Sequence, residues 1–484
     1  MNGSKSQLPE HNFLHPIAAM HNAQIQKFLG EIRASYWFIP SVMTLGAIIL
    51  SLVTVYFDGK IVADWASHVP FVFSSQPAGA RALLSTVAGS MITVAGVTFS
   101  LTLLAVSYST GQFGPRVIGN FMRDRGNQFT LGTFIATYIY CLMILRTVRS
   151  AEEPPVGDDA AQQLSHAFVP QISISVALVL TLASVAVLIY FIHHIPESIR
   201  LSNVVSGIGR QLARSIDELF PETIATGKPG DERKPALSDL PVGFYDNSIP
   251  VSLPDSGYIQ ALDEEGLVKV ANDNELVVYL SRRPGDFHCR GMELLRAWPA
   301  ERVSDEIVKK LQDVFALGMH RTFAQNVMFS VDQLVEIAQR ALSPGVNDPM
   351  TAMNCLDWLQ TALITVTRRD PPQRLRYNEN GALRVFAHAD QFEDFCSRVF
   401  DQLRQYVAVD RNAAKHMMLV INEIRDSAKN DLQRKVLDEH AGRLISEVEK
   451  SGPERIDFEE LKQMYELGRK GITANRNKFD AVFA

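Results

Sequence analysis

The sequence predicts a membrane α-helical domain of four transmembrane helices, followed by a cytoplasmic α+β segment and then a mainly α-helical cytoplasmic domain. Three observations carry this. Four apolar runs free of charged residues crowd into the first 200 of 484 residues. Polarity changes abruptly at Pro196. Beyond it, short stretches rich in β-formers give way, after Glu301, to apolar residues at helical spacing.

The runs are Tyr36 to Phe57, Ala82 to Tyr108, Phe129 to Leu145 and Phe168 to Ile192. Each approaches the roughly 20 residues that a helix needs to cross a bilayer. Soluble cores seldom hold four such runs in so short a stretch. The expected organisation is a cytoplasmic segment at 1–35, the four-helix domain at 36–195, and a juxtamembrane amphipathic helix with a linker at 196–240. A small α+β domain at 241–300 and a helical cytoplasmic domain at 301–484 complete it. No cleavable signal peptide is visible: the start is polar and carries His11, His15 and His21. Cys141, Cys289, Cys355 and Cys396 have no paired spacing, which argues against a zinc site or a disulfide framework and suits a reducing compartment.

Basic residues choose the orientation. Lys27 and Arg33 precede the first span, Arg116, Arg123 and Arg125 separate the second from the third, and Arg200, Arg210 and Arg214 follow the fourth. The opposite loops balance their cations with Asp and Glu, although Arg146 and Arg149 run counter to the trend. This bias places both termini in the cytoplasm of a bacterial inner membrane. After the fourth span, Ile199, Val205, Ile208, Leu212, Ile216 and Leu219 share roughly one face, with Arg200, Arg210 and Arg214 off it. Such a helix suits anionic headgroups or packing on protein, and the sequence leaves both open. A linker dense in Pro, Gly and charge follows.

In the α+β segment, "GYIQAL" and "ELVVYL" read as strands, "DEEGLVKVAND" as a short helix and "RRPGDFHCRGMELL" as a turn with a second glycine. The turn superficially resembles biotinyl and lipoyl carrier barrels, but no lysine occupies a modifiable hairpin position. "RRDPPQRLRYNENGALR" interrupts the later helices as a loop or hairpin.

Candidate sites come from three places. On the second span Ser85, Gly89, Thr93, Gly96, Ser100 and Ser107 fall within about 80° of each other on a helical wheel, a stripe that only Leu103 interrupts. Such an edge lets helices approach closely, the commoner use, or lines a watery path. With no Asp, Glu, Lys or Arg expected inside any span, a passive pore stays open and a proton-coupled carrier is disfavoured. Arg116, Arg123 and Arg125 form an inner basic collar that sets orientation or would bias a pore toward anions. His193 and His194 end the fourth span; they could bind a metal or sense pH, but adjacent residues diverge on a helix, which favours interface placement.

The third place is "ALSPGVNDPMTA". Pro344 cannot continue a helix, Gly345 offers a permissive backbone, and Asp348 before Pro349 starts the next helix. Ser343, Gly345, Asn347 and Asp348 make a helix–loop–helix corner, or a ligand corner for an anion or headgroup to which His320 and Arg321 would add.

The segments "SMITVAGVTFSLTLLAVSYSTGQFGPRVIGNFMRDRGNQFTLGTF", "YFIHHIPESI", "SGYIQALD", "RPGDF" and "RALSPGVNDPMTA" are similar to those of an uncharacterised family of predicted bacterial inner-membrane proteins, over about residues 35 to 450. The resemblance implies four spans, a cytoplasmic domain and no established activity. Members often carry Asp where this chain has Asn326.

No nucleophile–base pair, metal cluster or nucleotide motif emerges, so no catalytic residue, metal or cofactor is expected, and an enzyme is the least favoured class. The expected partners are the bilayer, further copies of the chain, and an anionic lipid or small anion, with no nucleic acid. A homo-oligomeric channel or transport-like protein ranks first. A membrane-anchored sensor or scaffold is the alternative.

Overall fold

The computed structural model describes residues 35–65, 76–114, 124–149, 168–220, 239–323, 325–372, 374–378, 380–452 and 454–470. The amino-terminal histidines, Lys27, Arg33, Arg116, Arg123 and most of the linker lie outside the described residues. The chain divides into a helical unit, Ile32–Glu222, Ser330–Asp370 and Phe392–Ala484, and an α/β unit that includes Thr223–Phe329 and Pro371–Gln391. Four long apolar helices, a mixed α+β region and a helical carboxy-terminal region follow in the order that the sequence predicts.

The helical unit opens with α1 (Phe38–Trp65), α2 (Pro77–Phe113), α3 (Arg125–Leu145) and α4 (Gln171–Ile199), each long and apolar enough to cross a membrane. All four outrun their uncharged cores. At 37 residues α2 is about 55 Å long, more than the ~40–45 Å of a bilayer with its headgroups. The centre of the bundle is α3: 44% of its apolar window is buried, against 22–28% for the other three. Its Tyr140, Cys141 and Ile144 pack with Ala47 of α1, Leu84 and Ala88 of α2, and Ile174 and Ala177 of α4. Phe134 packs one layer on, with Met91 and Ala95. The alanines of α2 let its backbone approach closely, where dispersion replaces the hydrophobic drive that lipid cannot supply.

One expectation needs correction. Helix α1 does not stop at the end of its uncharged run, and Asp58, inside it, is 2% exposed. The carboxylate accepts the backbone N–H groups of Ile172 (2.8 Å) and Ser173 (2.9 Å) and the Ser173 hydroxyl (2.6 Å). It thereby satisfies orphan donors at the start of α4, which the N-cap Pro170 does not do. Beside it the Tyr140 hydroxyl lies 2.9 Å from Thr54 Oγ1 and donates to the Ser173 carbonyl (3.1 Å).

Beyond the bundle, α5 (Leu201–Leu219) follows α4 after a break at Arg200. The apolar face of α5, Val204, Val205, Ile208, Leu212 and Ile216, is buried. Its partner is α9 (Pro349–Arg368), so this amphipathic helix spends its apolar face on protein. A Cβ at Gly209 would run into the Trp358 ring, so glycine is what allows the close approach. The remaining helices are α8 (Val327–Ala341), α10 (Phe392–Cys396), a π-helical turn (Ser397–Asp401), α11 (Gln402–Val407), α12 (Arg411–Ser427), α13 (Asp431–Ser451) and α14 (Arg455–Arg469). Helix α12 packs on α9, α13 and α14. It does so through apolar Met417, Met418, Val420, Ile421 and Ile424 and through polar links from Arg425 to Asp438 (2.6 Å) and His416 to Asp357 (2.7 Å).

The α/β unit holds β1 (Ile249–Val251), β2 (Gly257–Leu262), α6 (Glu264–Asp273), β3 (Val277–Leu280), β4 (Phe287–His288), β5 (Leu295–Trp298), α7 (Asp305–Asp313) and β6 (Phe315–Gly318). The later stretch supplies β7 (Leu375–Tyr377) and β8 (Leu383–Phe386), the hairpin reading of that interruption. One sheet has the order β1-β5-β3-β8-β7 and the other β4-β2-β6. Among the described residues β3 and β8 alone pair in parallel, with Val278 opposite Val385. Residues Ile259, Leu267, Ala271, Val278, Leu294 and Leu311 build the main core. Asp263 and Ser304 cap α6 and α7 through their side chains.

Candidate functional site

The six small or hydroxylic residues of α2 all lie on its exposed side. The side that packs in the bundle is another: Ala80, Leu84, Ala88, Met91, Ala95, Thr98, Thr102, Ala105 and Ser109 are buried. At 100° per residue the two faces are roughly 150° apart. A Cβ at Gly89 or Gly96 would meet nothing within 4 Å. The Thr93 hydroxyl donates to the Gly89 carbonyl (2.8 Å) and the Ser100 hydroxyl to that of Gly96 (2.9 Å). This face therefore carries these two donors already satisfied and presents small residues on the outside of the bundle, interrupted by Leu103, 59% exposed.

Of the basic collar, Arg125 is exposed in the first turn of α3, and Arg116 and Arg123 lie outside the described residues. The residue beside them does more local work. Asp124 caps α3 by accepting the Gly126 N–H (2.8 Å), and its other oxygen lies 2.8 Å from His194 Nε2 at the end of α4. Tyr190 stacks on the His194 ring, 5.1 Å between centroids and 16° between planes. A side chain at Gly126 would strike both rings, so Gly126, Asp124, Tyr190 and His194 form one latch between α3 and α4. His193 points elsewhere, 3.7 Å from Glu197 and largely exposed.

The carboxy-terminal end of α2 is held in its turn. Gly114 closes the helix with a φ of 99°, and its N–H donates to the Thr110 carbonyl. Arg340 of α8 reaches the Gly111 carbonyl (3.5 Å), where a cation meets the negative end of the helix. Glu336, 3.6 Å from Arg340, crowds Gly114 so closely that a Cβ there would clash.

Three residues beyond Arg340 comes the corner. The Ser343 hydroxyl donates to the Arg340 carbonyl (2.6 Å), and its own carbonyl accepts the N–H groups of Val346 (3.0 Å) and Asn347 (2.9 Å). Asp348 caps α9 through the Thr351 N–H (3.1 Å) and hydroxyl (2.6 Å), with Pro349 in the first turn. The left-handed residue is Asn347, φ 50°, rather than Gly345. Asn fills that conformation at small cost, so the turn uses its amide residue where a glycine was expected to bend. Pro344, Gly345, Val346 and Asn347 are all exposed.

His320 and Arg321 belong to the α/β unit, whereas Ser343, Gly345, Asn347 and Asp348 belong to the helical one. The His320 carbonyl accepts from Gln260 (2.9 Å), and the Arg321 guanidinium lies 5.5 Å above the Tyr258 ring. Nearby, Gln325 clamps both backbone groups of Leu262 (2.8 and 2.9 Å). Asn326 accepts the Phe329 N–H (3.1 Å), and its amide covers Gly285, φ 95°, in the "RPGDF" turn. Its role here is a cap and a lid on that glycine.

Among the described residues no three of His, Cys, Asp and Glu converge as metal ligands. Burial pushes the thiols of Cys355 and Cys396 far up, which leaves them unreactive. Sequence reasoning missed Asp58, Asp124, Arg340 and the Gly209–Trp358 contact. The available signal was an Asp directly after the first apolar run and an Asp one turn before the third.

Four membrane-length helices, three of them packed around α3, and a polar latch at one end define a polytopic membrane protein. The family described as "Predicted membrane protein (DUF2254)" matches residues 33–423, and the chain belongs to it. An uncharacterized protein of Mycobacterium bovis is 28% identical over 387 residues, covering 78% of this chain and 69% of its own length. An uncharacterized protein of Mycobacterium tuberculosis matches to the same extent. No solved structure matches the chain.

Proposed function

We propose that this membrane protein works as a homo-oligomer with a channel or transport-like activity, assembled through the exposed small-residue face of α2. The single observation that carries the reading is that Gly89, Thr93, Gly96 and Ser100 lie at spacings of four, three and four on a face that the chain's own bundle leaves uncovered. Lipid gains little from such a face. A second helix gains close backbone contact along it. Where several copies meet around an axis, the free lone pairs of these hydroxyls would line the path. The basic bias of Arg125, Arg200, Arg210 and Arg214 supports an inner-membrane orientation with both termini in the cytoplasm.

Purification into lipid nanodiscs, with mass measurement and current recording in planar bilayers, tests this. Assembled particles with conductance support it. A monomer that is silent under voltage, tension and anion gradients removes it. The alternative, a membrane-anchored sensor or scaffold, draws on the exposed corner at 343–348.

A further inference from the structure

The corner after α8 is tied to the membrane domain at two independent places. The first is the Arg340–Gly111 contact. Gly111 lies three residues beyond Tyr108, the last residue of the uncharged run of α2, so about 4.5 Å further along the axis. Arg340 therefore sits at headgroup level, and the corner starts three residues later.

The second is the register of α5 against α9. Gly209 meets Trp358, and Arg369 donates to the carbonyl of Phe220 (2.7 Å), so both contacts join residues 149 apart. Arg369 also pairs with Asp217 (2.6 Å) at the same end. Two helices with one constant offset run parallel. Pro349, the first residue of α9, is then level with Arg200, where the chain leaves α4. The corner is thus about one helix–helix distance, ~8–10 Å, from the membrane end of α4.

At that level the corner exposes the wrong surface for water. Val346 is 50% exposed and Met350 is 64% exposed. From Leu342 to Asn347 no side chain is charged, and the Asp348 carboxylate is turned inward to cap α9. We propose that the turn Ser343–Met350 rests on the headgroup layer of the membrane that α2 and α4 cross, with Val346 and Met350 against it. The occupant of this face is the bilayer, because Arg340 and the register of α5 on α9 hold the uncharged turn beside the ends of α2 and α4. Arg340 and Arg200 on either side suit lipid phosphates. The turn is then a foot through which lipid packing reaches the end of α2 by way of Arg340.

This inference rests on the membrane reading of the four helices, and the test separates the two. Spin labels are placed singly at Val346→Cys, Met350→Cys, Leu182→Cys and Leu432→Cys, in full-length Cys289→Ser protein in nanodiscs of phosphatidylethanolamine and phosphatidylglycerol. Leu182 is exposed on α4 and Leu432 on α13. Power saturation then compares collisions with oxygen and with a water-soluble nickel chelate. The expected order of membrane depth is Leu182 deepest, Met350 and Val346 intermediate, and Leu432 in water. Labels at Val346 and Met350 as open to nickel as that at Leu432 would overturn the proposal, as would shielding from both reagents, which means protein covers the turn. A Leu182 label that reads as water would sink the membrane reading itself.

Discussion

Asp58 on α1 accepts the backbone N–H of Ser173 on α4 at 2.9 Å, across 115 residues of sequence. A carboxyl group in a bundle of apolar helices is costly unless it is hydrogen-bonded, and this one accepts three bonds. Replacement by Ala leaves buried donors of α4 with no acceptor. The expected loss is about 2–3 kcal/mol, read as a fall in the thermal midpoint in nanodiscs. Asp58→Asn keeps one acceptor and loses less. An unchanged midpoint for Asp58→Ala would mean that the carboxylate does not hold α4.

The latch at the other end predicts an asymmetry. Asp124→Ala removes the bond to His194 and the cap on Gly126, while Asp124→Asn keeps an oxygen to accept the Gly126 N–H. Asp124→Ala should therefore cost more than Asp124→Asn, by the roughly 1 kcal/mol of an N-cap. Equal losses in denaturation would show that the cap contributes nothing.

Gly209 sits against the indole of Trp358. Gly209→Ala forces the two helices apart and should cost about 1–3 kcal/mol. Trp358→Leu in the same chain should recover part of it. Additive effects of the two substitutions in a double-mutant cycle would contradict direct contact.

His440 predicts the pH response of the helical unit. It is 4% exposed, and burial pushes its pKa below 6.5; Asp401, 3.5 Å away, opposes this and Arg443 and Arg404 add to it, with Glu439 a lesser opposing charge. Arg404 already holds Asp401 at 2.7 Å. The folded state keeps the imidazole neutral while the unfolded chain takes up a proton near 6.5. Stability from this site is complete above that pH and is lost as pH falls toward the lowered folded value. Denaturation midpoints should drop from pH 7.5 to 5.5, and less so in His440→Gln. An equal drop in both proteins would remove His440 as the cause.

The four spans are legible in the sequence because chains that stay in water rarely hold uncharged runs of bilayer length. Their packing is not. Helix α2 is small-sided on two faces, Ala80, Ala88, Ala95 and Ala105 on one and Gly89, Thr93 and Gly96 on the other. Periodicity alone does not say which faces the bundle. Asp58 and Asp124 stand just outside apolar runs, and their partners are 115 and 70 residues away. The corner is legible as a turn because Pro344 and the Asp348–Pro349 pair act locally, and even there the left-handed position falls to Asn347. The place of β8 beside β3 is a long-range pairing that no local pattern carries.

Assembly through the outward face of α2 is the central claim, and a reconstruction of the particle in lipid nanodiscs tests it most directly. The expected result is Gly89, Thr93 and Gly96 packed against a neighbouring copy or a solvent path enclosed by copies. A particle in which these three residues meet only acyl chains would contradict it.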